Sequence, residues 1–106
     1  MSTTNNKYTP YFPIHPGEII KDELEFRNIT QRQLALQMEI SYSLLNEVLN
    51  SKRQVNSELA MLVEATLGLD ADTLVRMQAR YNMQVALKNS SFAERLAKIR
   101  QKAAML

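Results

Sequence analysis

Hydrogen-bonding and cationic side chains are concentrated in residues 30–53, which read TQRQLALQMEISYSLLNEVLNSKR. A helix that starts after Ser41 places four polar side chains on its outer face: Tyr42, Ser43, Asn46 and Glu47. Groups of these types can hydrogen-bond the edges of DNA bases in the major groove. Lys52 and Arg53 follow the helix, where their charges can hold a phosphate strand. The pattern indicates either a surface that contacts double-stranded DNA or the solvated outer face of an ordinary small helical protein.

Two short amphipathic helices must position these side chains. Thr30 and Gln33 form a capping box at the start of the first, and Ser41 can cap the second. Their apolar stripes can meet in one core: Leu34, Ala35 and Met38 on the first, Leu45, Val48 and Leu49 on the second. This spacing is typical of a helix-turn-helix, in which the second helix enters the major groove. The start of the first helix, with the polar Gln31, then meets backbone phosphate.

The rest of the chain also predicts helices and no strands. Start and stop signals predict four more helices. They extend from Pro16 to about Arg27, from Asn56 to Gly68, from Asp70 or Asp72 onwards, and from a capping box formed by Ser91 and Glu94 onwards. We expect an all-α fold of five or six helices, with Met38, Met61 and Met77 in its core. The predicted parts are a flexible arm over residues 1–12, a helix-turn-helix domain over 13–89 and a basic helix over 90–106.

Composition excludes several classes of protein. The sequence has no cysteine, which removes disulfides, thiolate zinc sites, iron–sulfur clusters and a catalytic thiol. Its one histidine, His15, has no partner for a metal site, so we expect it to start a helix or make a hydrogen bond. We find no group of residues with the spacing of a catalytic site. We also find no apolar segment long enough for a membrane span and no apolar core of a signal peptide. The sequence therefore predicts a cytoplasmic protein with no enzymatic activity, cofactor, metal or membrane partner.

Charge is divided unevenly along the chain. Residues 13–50 carry six acidic and three basic side chains, whereas residues 76–102 carry seven basic side chains against Glu94 alone. The acidic half opposes DNA binding, because affinity for DNA comes from neutralising phosphate. A dimer would double Arg32, Lys52 and Arg53 at two half-sites, provided that the first helix turns its carboxylates away from DNA. We interpret the basic C-terminal helix first as a solvated helix, second as a clamp on the DNA backbone and third as a membrane-surface helix.

Several motifs in one order resemble a known family. Residues 30–53 resemble the helix-turn-helix of the XRE, or lambda-repressor-like, family, with Thr30-Gln31 opening it, Leu34-Ala35 and Ile40-Ser41 within it, and Asn50, Lys52 and Arg53 closing it. The flanks resemble HigA-type antitoxins: residues 14–19 (IHPGEI), Leu59-Ala60, Leu67-Gly68 and residues 77–81 (MQARY). The resemblance implies a bacterial, cytoplasmic, homodimeric antitoxin that represses its own operon and neutralises a RelE-like RNase toxin.

The resemblance and the spacing together predict three sets of functional residues. The DNA-binding set is Thr30, Gln31, Arg32, Ser41, Tyr42, Ser43, Asn46, Glu47, Asn50, Lys52 and Arg53. The set for a dimer or partner interface is Leu74, Met77, Tyr81, Phe92, Leu96 and Ile99. Charge complementarity with a cationic toxin suggests a third set: Glu18, Asp22, Glu23 and Glu25.

Three residues depart from the family pattern. Glu39 and Ser51 stand where the family usually has glycine, so the backbone there must be right-handed or bear strain. Glu47 puts a carboxylate on the face turned to DNA, where it accepts from cytosine or repels phosphate. These departures favour an alternative, a protein-interaction module that has lost DNA reading. A second alternative is a stand-alone XRE-type regulator without a toxin.

Overall fold

The computed structural model of the chain describes residues 13–106, and all regular structure in that range is helical. The described helices are α1 (Pro16–Arg27), α2 (Gln31–Met38), α3 (Tyr42–Leu49), α4 (Ser57–Leu67), α5 (Ala71–Lys88) and α6 (Ser90–Ala103). The predicted all-α fold is confirmed. The expected flexible arm, residues 1–12, lies outside the described residues.

The described residues fall into two units. Ile14–Ala79 form one compact unit, called the body here, while Pro13 and Arg80–Leu106 belong to the second. The body contains α1 to α4 and the first half of α5, and the second unit contains α6. The candidate DNA-binding residues are therefore all in the body.

Side-chain caps fix the starts of the helices. Thr30 and Gln33 form the predicted capping box of α2, since each side chain accepts a hydrogen bond from the other's backbone N–H. Ser41 caps α3 through the Leu44 N–H, as predicted, and Asn56 likewise caps α4. Such caps each contribute about 1 kcal/mol, because they satisfy backbone donors that the helix leaves unpaired.

The start of α6 differs from the prediction. Asn89, not Ser91, caps this helix, and its Oδ1 accepts from the Phe92 N–H at 3.0 Å. The helix therefore begins at Ser90, which leaves Ser91 inside its first turn. Asparagine is a stronger N-cap than most residues, and it competes successfully with a serine two positions later.

Left-handed residues end the first three helices of the body. The φ angles of Asn28, Glu39 and Ser51 are 59°, 58° and 62°. At Ser51 the N–H donates to the Val48 carbonyl at 3.1 Å, and the next N–H, of Lys52, donates to the Glu47 carbonyl at 2.8 Å. This is the Schellman pattern, which glycine usually completes. A residue with a Cβ costs about 1–2 kcal/mol there, so these turns bear local strain.

The core of the body is apolar and closely packed. It is formed by Ile20, Leu24, Leu34, Ala35, Met38, Leu45, Val48, Leu49, Val55, Leu59, Ala60, Val63, Leu67 and Leu74. Both predicted stripes of the helix-turn-helix lie in it. Met61, expected in the core, is 62% exposed, because α4 buries the face that carries Ala60 and Val63 instead.

Two polar contacts join separate elements of the body. The buried Gln78 side chain on α5 accepts from the Val55 N–H at 2.8 Å through its Oε1. Arg27 at the end of α1 donates to the Leu67 carbonyl at the end of α4, with 2.7 Å between Nη2 and the oxygen. Both contacts satisfy backbone groups that the helices leave open.

In the described part of the chain, no helix combines the length and the hydropathy that crossing a membrane requires.

Candidate nucleic-acid interface

The two faces of α3 differ in polarity and burial. Leu45, Val48 and Leu49 are buried against the body, whereas Tyr42 and Ser43 at the start of α3 are exposed. Asn46 and Glu47, one turn later, are partly exposed. The eight residues of α3 thus present a polar, outward face over its first two turns, as the sequence predicts.

Three amide side chains on this face form a connected chain, called the amide chain here. The Asn46 Nδ2 donates to the Gln31 Oε1 at 3.0 Å, which joins α3 to the first residue of α2. The Asn50 Nδ2 donates to the Asn46 carbonyl at 2.9 Å and to the Asn46 Oδ1 at 3.2 Å. The geometry therefore fixes the Asn46 side chain between its neighbours, while each amide group keeps further hydrogen-bonding capacity.

Three charged side chains lie at the edges of the same face. The Arg53 Nε donates to the Glu47 Oε1 at 2.8 Å, and both side chains are about half exposed, at 54% and 43%. The ion pair with Arg53 partly offsets the negative charge of Glu47 before DNA approaches. At the other edge the Arg32 guanidinium lies over the Tyr42 ring, 4.7 Å from the ring centroid, which holds the ring by a cation–π contact.

Thr30 and Ser41 serve mainly as caps. Their hydroxyl oxygens accept from the Gln33 and Leu44 backbones, at 3.1 and 3.0 Å. They lie at the starts of α2 and α3, where free backbone N–H groups and the positive ends of the helices attract anions. Lys52 is exposed beyond the end of α3. The structure thus places the predicted DNA-binding residues on α2, α3 and the segment that follows α3.

His15 occupies the N-cap of α1, in the helix-starting role that the sequence predicts. Its Nδ1 accepts from the Gly17 N–H at 2.9 Å, and the residue is 1% exposed. Burial lowers the pKa of the imidazole below its ordinary value, against two smaller opposing effects. These are a hydrogen bond with the Arg53 backbone and the charge of Glu18. His15 is therefore neutral at neutral pH.

The four carboxylates of α1 do not share one environment. Glu18, Asp22 and Glu25 line a surface groove together with Lys21, Leu49, Asn50 and Ser51. Glu23 lies elsewhere on α1 and pairs with Arg27, with 2.6 Å between Glu23 Oε2 and Arg27 Nε. Three of the four carboxylates of α1 therefore adjoin the residues that end α3.

The residues predicted for an interface lie in different surroundings. Leu74 is buried in the core of the body, whereas Met77, which was expected in the core, is only partly buried. In the second unit Tyr81 and Leu96 are partly buried, whereas Phe92 and Ile99 are 39% and 48% exposed. Leu74 therefore serves the fold of its own chain, and the exposed apolar side chains of this set are on α6.

Comparisons with known proteins agree with this geometry. Residues 20–74, from within α1 to the start of α5, match the family model described as Helix-turn-helix. The chain belongs to this helix-turn-helix family. It is 31% identical to virulence-associated protein I of Dichelobacter nodosus over 74 residues, which are 69% of this chain and 68% of that protein.

This helix-turn-helix protein is also similar to proteins of known structure. An addiction module antidote protein of a HigA family from Coxiella burnetii matches with a TM-score of 0.74 and 30% identity, over 82% of this chain and 94% of that one. The Pseudomonas aeruginosa antitoxin HigA, solved with the higBA promoter, matches with a TM-score of 0.71 and 25% identity, over 79% and 90%. The protein is thus an XRE-type DNA-binding regulator whose structural neighbours are HigA-family antitoxins.

Sequence reasoning missed three contacts of the helix-turn-helix protein. They are the Gln31–Asn46 hydrogen bond, the Glu47–Arg53 ion pair and the contact between His15 and the Arg53 backbone. Each joins residues that are not neighbours on one helix, so periodicity gives no signal for it. The opposite charges of Glu47 and Arg53 were visible, but pairing them required the turn at Ser51.

Proposed function

We propose that the chain represses its own operon and is the antitoxin of a type II toxin–antitoxin module, neutralising an RNase toxin of the RelE-like class. The observation that carries the proposal is the amide chain on the outward face of α3, which holds Asn46 between Gln31 and Asn50. An ordered amide on such a helix suits bidentate contacts with base edges in the major groove. Antitoxin HigA of Pseudomonas aeruginosa, solved with the higBA promoter, supports the same use of this fold.

In this proposal the residues divide into base-reading and phosphate-binding groups. Tyr42, Ser43 and Asn46 lie on the exposed first turns of α3 and read bases. Gln31, Lys52 and Arg53 flank them and hold the phosphate strand. When Arg53 binds phosphate, its ion pair with Glu47 must loosen or be shared, and at these exposures that pair contributes little to stability.

The direct experiment is a salt-series titration of the protein against the promoter DNA upstream of its own gene. A scrambled duplex of equal length and composition is the control. A preference of about a thousandfold or more for the promoter is the expected result, since specific binding exceeds non-specific binding by at least that factor. Weak and equal binding to both duplexes would refute autonomous operator recognition.

Two variants separate the two groups of residues. Asn46→Ala should relax sequence preference at one half-site position by about 1–3 kcal/mol, because it removes a base contact. Arg53→Ala should weaken binding to all sequences alike and lower the salt slope by about 1 per subunit. Equal losses for Asn46→Ala on operator and random DNA would contradict base reading.

The toxin partner is proposed from the acidic groove of α1. Glu18, Asp22 and Glu25 face one groove, and a cationic protein would be attracted to it. Neutralising all three, with Glu18→Gln, Asp22→Asn and Glu25→Gln, should slow association with the toxin and make it less sensitive to salt. The toxin would be the protein encoded beside this gene.

A matched control removes the same charge elsewhere. Glu39→Gln, Glu58→Gln and Glu94→Gln change exposed carboxylates outside the groove, none of which has an ion pair among the described residues. If both triple variants associate with the toxin at the same rate, the groove is not the toxin surface. Glu23 is left unchanged in both, because it pairs with Arg27.

We also propose that the protein is a homodimer. The support is the pair of exposed apolar residues on α6, Phe92 and Ile99, since exposed apolar surface on a small domain commonly marks an interface. Phe92→Glu should then lower the mass measured by sedimentation equilibrium to that of one chain. An unchanged mass would place the dimer contact elsewhere or show a monomer.

The second candidate function is a protein-interaction module that does not read DNA. The same acidic groove favours it, because three carboxylates adjoin the end of α3 and repel phosphate. Under this alternative the protein binds its partner but gives no operator preference in the titration. A stand-alone regulator would instead give the preference and show no toxin binding.

A further inference from the structure

The start of α1 and the end of α3 are joined through buried backbone and a buried imidazole. His15 is almost completely buried, and its Nδ1 accepts from the Gly17 N–H at 2.9 Å. Since Nδ1 is an acceptor, the proton of the neutral ring is on Nε2. The imidazole also has a hydrogen bond with the Arg53 backbone that favours its protonated form, so the Arg53 carbonyl accepts from Nε2–H. Both ring nitrogens are therefore engaged.

Gly17 brings the two backbones into direct contact beside this imidazole. A Cβ added at Gly17 would lie 2.0 Å from the Val48 carbonyl oxygen, so only glycine permits the approach. The same carbonyl accepts from the Ser51 N–H at 3.1 Å, in the turn that ends α3. The segment from Ser51 to Arg53 is thus fixed to α3 by its own turn and to α1 by His15.

We infer that His15 is a positioning residue for DNA binding: its imidazole holds the Arg53 main chain and so sets where the Lys52 and Arg53 side chains meet the phosphate strand. The inference rests on the proposed phosphate-binding role of those two side chains. His15 does not touch DNA, because it is buried. It acts through the backbone of the segment that carries both cations.

The charged groups around His15 determine how this contact responds to pH. On α1 the Glu18 carboxylate attracts the protonated imidazole. From the α3 side His15 contacts the main chain of Arg53, and the guanidinium of Arg53 is paired with Glu47. Protonation would put a hydrogen on Nδ1, facing the Gly17 N–H, and would break the cap. Acidification should therefore weaken the cap of α1, whereas the contact between Nε2–H and the Arg53 carbonyl is kept in the protonated ring.

Two substitutions separate the roles of the two ring nitrogens. His15→Asn keeps a short side-chain acceptor for the Gly17 N–H, since asparagine caps helices well, but cannot reach Arg53. His15→Gln is longer and can supply an N–H near the position of Nε2, but it is a poor cap. The first variant preserves capping and removes the contact with Arg53, and the second does the reverse.

The experiment measures operator binding and thermal stability of the full chain for both variants, under conditions in which circular dichroism shows each one folded. We expect His15→Asn to lose about tenfold in operator affinity, the size of one hydrogen bond to a charged group. Its salt slope should fall by about 1 per subunit, as Lys52 or Arg53 loses its phosphate. His15→Gln should be less stable than His15→Asn but bind DNA better, with the wild-type salt slope.

A purely structural role gives a different result. Operator affinity would then follow stability across the two variants, and the salt slope of the folded protein would not change; either finding overturns the inference. If the wild-type protein shows no operator preference, the proposed function fails and the inference fails with it. If the wild type binds and His15→Asn binds equally well, the inference alone is overturned.

Discussion

Replacing Glu39 with glycine tests the turn of the helix-turn-helix through the free energy of unfolding. Glu39 ends α2 with a φ of 58°, and its N–H and that of Ile40 close the Schellman pattern on the Leu36 and Ala35 carbonyls, at 3.2 and 3.0 Å. Glu39 is exposed and has no ion pair among the described residues. The substitution therefore changes the backbone preference and removes no contact of the core.

The size of the effect follows from two opposing terms. Relief of the left-handed strain contributes about 1–2 kcal/mol in favour of glycine. The greater freedom of glycine in the unfolded chain costs about 0.5–1 kcal/mol. We expect Glu39→Gly to stabilise the protein by about 0.5–1 kcal/mol, which raises the Tm of a domain this size by roughly 2–8 °C.

The assay is urea unfolding followed by far-ultraviolet circular dichroism, with three comparison variants. Glu39→Ala removes the same side chain but keeps a Cβ, so it should be less stable than Glu39→Gly. Ala65→Gly, on the exposed side of α4, should lose about 1 kcal/mol, because glycine is unfavourable inside a helix. Gly68→Ala should also lose stability, by strain alone, since a Cβ there meets nothing within 4 Å and φ is 76°. If Glu39→Gly were less stable than Glu39→Ala, the left-handed turn would be refuted.

Three further substitutions or conditions test other parts of the body. Gln78→Leu should cost about 1–3 kcal/mol in urea unfolding, because the buried Val55 N–H loses its acceptor, and a change near zero would mean that water replaces the amide. Gly17→Ala should destabilise by about 1–3 kcal/mol, from the clash with the Val48 carbonyl; a gain in stability, as helix propensity alone predicts, would contradict that packing. Because the pKa of His15 is lowered in the fold, its contribution to stability is fully present above its ordinary value of 6.5 and is lost as the pH falls below that value. His15→Gln should abolish this part of the pH dependence in thermal melts, and an unchanged profile would assign it to other groups.

Much of the fold followed from patterns within single helices. Thr30 with Gln33, Ser41 and Asn56 are each followed by an apolar stripe at helical spacing, so the caps and the core were predictable together. The start of α6 was not, because Asn89 and Ser91 are both good caps and the sequence alone does not choose between them. Met61 fits a helical period as well as its neighbours do, yet α4 buries another face.

The candidate interface was predictable in its residues but not in its connections. The outward positions of Tyr42 and Ser43 follow from the period of α3. The pairing of Glu47 with Arg53 depends on the left-handed turn at Ser51, which the sequence alone allowed to take either hand. The groove that collects carboxylates of α1 beside the end of α3 depends on how those two helices pack, which no single-helix pattern contains.

The amide chain has a consequence for the thermodynamics of recognition. Because Asn46 is held by Gln31 and Asn50 before any partner binds, its side chain has already lost its rotamer entropy on folding. Each side chain ordered in advance avoids roughly 0.5–1.5 kcal/mol of entropic cost on association. Calorimetry of operator binding should then give a smaller unfavourable entropy for the wild type than for a Gln31→Ala variant, in which Asn46 must be immobilised by the DNA itself.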